Sequence, residues 1–124
     1  MHLQIFSQTD LDKMLEYLVI IGKASMPLEY TIIYHDRLAL YYKLKGDMHT
    51  SIRIAEDYIS ELPSIQDPRV LLRLASLHNN LGVNYSTLKN MDEAQEHFEI
   101  ALSIWKRFNI QIWRRMEGGQ KRVL

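Results

Sequence analysis

The strongest constraint on how this chain folds is a run of large and small apolar residues at helical spacing in its second half. The run is Leu81, Gly82 and Tyr85, followed by Ala94, Phe98 and Ala101, interrupted once by Lys89-Asn90-Met91-Asp92-Glu93. Two helices folded back on each other account for this pattern. Small residues let the backbones approach, and large ones fill the crevice between them. One helical hairpin cannot bury its own apolar face, so further hairpins are expected to stack on it. Such a chain is expected to be a piece of a scaffold rather than a self-contained active site.

The spacing Leu81-Gly82-x-x-Tyr85, then Ala94, Phe98 and Ala101, resembles the tetratricopeptide repeat (TPR), a helix–turn–helix unit. Two signature positions depart: His78 stands where the family has Trp, and Lys106 where it has a closing Pro. Sliding the chain against itself by 43 positions reveals a second copy. His35 then falls on His78, Leu38 on Leu81, Ala39 on Gly82 and Tyr42 on Tyr85. Ser51 falls on Ala94, and the turn residues Gly46-Asp47 fall on Lys89-Asn90. Ala55 and Tyr58 occupy the places of Phe98 and Ala101, so large and small have changed places, a swap that conserves volume. The period exceeds the family's ~34 residues, with the extra length in residues 60–72. Long-period repeats of this kind are similar to those of kinesin light chains and of TPR-bearing bacterial signalling proteins.

Local signals place the helices. Thr9, with Asp12 three residues on, is expected to cap a first helix over Asp10–Ile21, stopped by Gly22. Pro27 suits the first turn of a second helix reaching Lys45. Asp47 is expected to cap a third over Met48–Leu62, and Asp67-Pro68 to open a fourth reaching Lys89. Asn90 is expected to cap a fifth over Met91–Phe108, with a short sixth over Ile110–Met116 ended by Gly118-Gly119. No segment alternates as a strand does. The expected fold is all-α, a right-handed α-solenoid of TPR-like helical hairpins with about six helices. At 124 residues it is read as one domain: an N-terminal packing helix (1–29), a first repeat (30–62), a linker and second repeat (63–108), and a C-terminal helix or tail (109–124).

Composition narrows the function classes. Lys plus Arg equals Asp plus Glu, at 15 each, which argues against a dedicated nucleic-acid surface. No apolar run approaches the ~20 residues that cross a bilayer. The opening Met1–Phe6 lacks the basic start and apolar core of a secretory signal. With no cysteine there is neither disulfide nor thiol chemistry, which fits a cytoplasmic protein. No phosphate loop, nucleophile elbow or pair of buried acids stands out, so neither catalysis nor a cofactor is expected. His35 and His78 are expected to be core or interfacial histidines. Glu93 and His97, four apart, are read as a surface contact, because no second histidine completes a metal-binding helix. No metal site is expected.

The TPR resemblance implies that first helices of successive repeats line a concave groove that holds a protein or peptide. In that register the outward positions are Ile33, Asp36, Arg37, Leu40 and Lys43 in the first repeat. In the second they are Ser76, Asn79, Asn80, Val83, Ser86 and Thr87. Asn79, Asn80 and Asn84 are singled out because primary amides both donate to and accept from a peptide backbone. The family's clamp for a terminal carboxylate is not expected: only Asn80 matches it, and Asp36 would repel the ligand. The favoured function is a protein–protein or protein–peptide interaction module, a scaffold or sensor segment of a larger signalling or regulatory system. A peptide-responsive regulator is one alternative. The other is a structural homo-oligomer closing through Trp105, Phe108, Ile112 and Trp113. The basic tail Arg114, Arg115, Lys121 and Arg122 is not expected to hold nucleic acid or a membrane.

Overall fold

The structure, a computed structural model, describes the backbone of residues 7–119 and the side chains of residues 7–109. Among the described residues there are five helices and no strand: α1 (Gln8–Gly22), α2 (Leu28–Leu44), α3 (Met48–Ser60), α4 (Pro68–Thr87) and α5 (Met91–Gly119). The fold is all-α. The chain divides into two compact units, Met1–Ser64 and Ile65–Leu124, and the boundary lies inside the Pro63–Pro68 stretch.

In the first unit α1 packs on α2, and α2 on α3. Ser7, not Thr9, caps α1: its hydroxyl accepts from the Asp10 amide at 3.2 Å, and the Asp10 carboxylate accepts from the Ser7 amide at 3.2 Å. That reciprocal pair satisfies two helix-end donors and moves the start ahead of the expected one. Leu11, Leu18 and Tyr41 form the core between α1 and α2, with Leu15, Leu38 and Tyr42 packed around them.

The two helical hairpins, α2–α3 and α4–α5, close through the same turn. Asp47 N–H donates to Tyr42 C=O and Gly46 N–H to Lys43 C=O. One period later, Asn90 N–H donates to Tyr85 C=O and Lys89 N–H to Ser86 C=O. Both pairs are the nested bonds of a Schellman motif, which requires a left-handed residue just beyond the helix. Gly46 has φ 87° and Lys89 has φ 66°. The caps that follow from the sequence are present at Asp47, which accepts from Thr50 N–H at 3.1 Å, and at Asp67, which accepts from Arg69 N–H at 2.9 Å.

The expected sixth helix is the continuation of α5. No proline or glycine lies between Met91 and Gly118 to break the backbone ladder, so the helix runs through Phe108 to Gly119.

Candidate functional site

Inside each hairpin, a small residue on the first helix meets the second. In α2–α3, Ser51 is fully buried and its hydroxyl donates to Ala39 C=O at 2.6 Å. In α4–α5, Gly82, the equivalent of Ala39, lies under Phe98: a Cβ at Gly82 would sit 2.5 Å from the ring. Ala75 and Ala101, both without exposed surface, form a core with Ile104, and Trp105 packs against it.

The large partner sits at the other end of the first hairpin. His35 stacks on Tyr58 with ring centres 3.7 Å apart. Its Nδ1 lies 2.8 Å from Thr31 C=O; a carbonyl only accepts, so Nδ1 carries the proton. Thr31 donates to Leu28 C=O at 2.9 Å, which leaves the Tyr58 hydroxyl, 2.7 Å away, to donate to Thr31 Oγ1. Burial raises the Tyr58 phenol above its ordinary pKa, and the Thr31 hydrogen bond opposes part of that rise.

His78 is buried, as expected of the Trp slot, but His97 is not on the surface with Glu93. It is 8% exposed and its Nδ1 lies 2.9 Å from His78 Nδ1. Position 97 falls between Ala94 and Ala101, on the inward side of α5, which overrides its polarity. One imidazole donates to the other, and Tyr85 stacks on His97 at 5.6 Å. The pair is a polar tie across the hairpin. Among the described residues no three His, Asp or Glu side chains come together as a metal site.

The proposed contact residues separate into a surface set and one buried exception. On α4, Ser76, Asn80, Val83 and Thr87 are exposed, and Asn79 and Ser86 are half-buried. Asn84 is inside, 6% exposed, with its side-chain oxygen lacking a hydrogen-bond partner. It lies seven residues after Leu77 and three after Leu81, in the inward stripe, so it does not share the outer side with Asn80. On α2, Arg37 is exposed and pairs with Asp36 at 3.8 Å; Ile33, Leu40 and Lys43 are half-buried. Of the expected self-association residues, Trp105 and Phe108 are half-buried, Trp105 against the α4–α5 core. The side chains of Ile112 and Trp113 lie outside the described ones.

One apolar surface was missed by sequence reasoning. Exposed Met91 and Leu102 on the outer side of α5, and the edge of the half-buried Phe98 whose ring also covers Gly82, line an open groove of about 270 Å³ with Ala94, Gln95 and Glu99. Their spacing of seven and four residues was the available signal. No described helix is long and apolar enough to cross a membrane. No protein-family model matches the chain, and no curated protein or solved structure compared with it does.

Proposed function

We propose that the chain is a protein- or peptide-binding module of the TPR-like kind, a scaffold or sensor segment of a larger cytoplasmic signalling or regulatory system, and not an enzyme. The observation that carries this reading is the duplicated hairpin. Two helix pairs one period apart share the same nested turn, with left-handed residues at Gly46 and Lys89. A duplicated hairpin of that design is what the TPR resemblance implies, and hairpins of that family present their first helices to partners.

On α4 the exposed row is Ser76, Asn80, Val83 and Thr87, with Asn79 beside it. From Ser76 to Thr87 the row spans about 16 Å at 1.5 Å per residue, the length of roughly five residues of extended peptide. The amides of Asn79 and Asn80 supply donors and acceptors for a peptide backbone, and Val83 supplies apolar contact. Asn84, being buried, has no part in this contact.

The test is capture from native lysate by the tagged full chain, with Asn79→Ala/Asn80→Ala and Val83→Asp variants alongside. The expected result is a specific protein or peptide retained by the native chain and lost from both variants at unchanged helicity. Equal capture by all three, or none by the native chain, removes the α4 row from consideration.

A further inference from the structure

Helix α5 segregates its charge along its length. Residues 91–101 carry Asp92, Glu93, Glu96 and Glu99 with neither Lys nor Arg. Residues 103–119 carry Lys106, Arg107, Arg114 and Arg115 against Glu117 alone. The helix macrodipole explains acidic residues in the first turn, such as Asp92 and Glu93, but its influence fades beyond that turn. It does not explain Glu96, Glu99, Lys106 and Arg107, which are exposed in the middle of a 29-residue helix. Beside these charges runs the apolar stripe of Met91, Phe98 and Leu102, in which Met91 is 56% exposed and Leu102 49%. Glu99 and Lys106 lie two turns apart on the same flank of that stripe, and both border Leu102.

We propose that two copies of this chain pair through the stripe, with their α5 helices antiparallel about a two-fold axis passing between Leu102 and Ser103. A helix acidic in its first half and basic in its second is complementary to its own inverted copy. A parallel arrangement sets acid against acid and is disfavoured. A two-fold contact is self-complementary: each residue meets its counterpart reciprocally. In antiparallel helix pairs, residues on the same flank face each other. Glu99 of each copy therefore meets Lys106 of the other, and the arrangement places this pair twice. Leu102 of the two copies meets at the axis, with Phe98 beside it. The surface is separate from the α4 row and does not depend on it.

Sedimentation of the full chain over a dilution series, at low and high salt, tests the pairing. The expected result is a reversible dimer that loosens in high salt. Glu99→Lys and Lys106→Glu should each weaken it by about tenfold, because each creates two like-charge contacts. The double variant Glu99→Lys/Lys106→Glu should restore it. All these positions are exposed, so circular dichroism should be unchanged. The chain has no native cysteine, which permits a geometric check. Leu102→Cys should oxidise to a disulfide-linked dimer, while Asn109→Cys should not, its two copies being about 20 Å apart along antiparallel helices. A monomer at every concentration, a dimer indifferent to both single reversals, a double variant that does not recover, or cross-linking at Asn109 as readily as at Leu102 would each overturn the proposal. A monomer would assign the stripe to a different occupant.

Discussion

Gly82→Ala isolates the close approach that the α4–α5 hairpin depends on. A Cβ at this position would meet three Phe98 ring atoms at 2.5, 2.6 and 2.9 Å. Ordinary carbon–carbon contact is about 3.5–4.0 Å, so the ring or the helix has to yield by about 1 Å. Overpacking of that kind costs about 1–3 kcal/mol. Working against it, alanine is about 1 kcal/mol better than glycine inside a helix. Because the atoms met belong to a rigid ring in the hairpin crevice, the upper part of the range applies. The net expectation is a loss of about 1–2 kcal/mol, from those two terms. Both tryptophans, Trp105 and Trp113, belong to the second unit, so urea unfolding followed by tryptophan fluorescence reports on that unit alone. The decisive comparison repeats the substitution in a Phe98→Ala background. There the obstruction is gone and Gly82→Ala should stabilise by about 1 kcal/mol, the helix-propensity gain alone. Gly82→Ala stabilising the native protein, or equal effects in the two backgrounds, would refute the packing argument.

Other expectations follow from the same geometry. Lys89 holds φ 66° without being glycine, so Lys89→Gly should stabilise the second unit by about 1 kcal/mol, read from its urea midpoint. His97→Leu removes the bond to His78 and should cost about 1–3 kcal/mol; adding His78→Leu should recover part of that loss in a double-mutant cycle. Asp47 accepts bonds from the Thr50 hydroxyl and amide, which hold its carboxyl below the usual range. Its contribution is therefore present above the unfolded carboxylate pKa of about 4 and disappears as pH falls through the lowered folded value. The stability difference between the native chain and Asp47→Asn, measured by far-ultraviolet dichroism in urea, should shrink across that acid window and stay constant above it.

Those features of the fold set by chemistry within one turn were legible in the sequence. Asp47 and Asp67 as caps, and the shared turn at Gly46 and Lys89, depend on neighbouring groups only. Ser7 and Thr9 are both competent caps; the choice fell to Ser7 because Asp10 reaches its amide. Asn84 and His97 were misplaced for a common reason. Each lies four residues from an exposed polar residue, Asn84 from Asn80 and His97 from Glu93, which suggests a shared outer face, although its spacing from Leu81 or Ala94 puts it on the inward side. Position within the helical period outranks residue type where a hairpin is closely packed. The outer stripe of α5 was hidden because Phe98 had already been accounted for as a core residue, leaving Met91 and Leu102 without a visible pattern.

The exchange of large and small residues between the two hairpins has a consequence for how the chain folds. Two similar hairpins in one polypeptide invite a crossed product, in which α5 docks on α2 in place of α3. The Phe98 ring needs the bare backbone of Gly82, whereas α2 offers the methyl group of Ala39 at the corresponding place. Tyr58 in turn finds its hydroxyl partner in Thr31, a full period from Leu74, which has none to offer. Each second helix thus carries a bulky key that fits only its own lock, and the duplication remains free of the mispairing that identical copies would suffer.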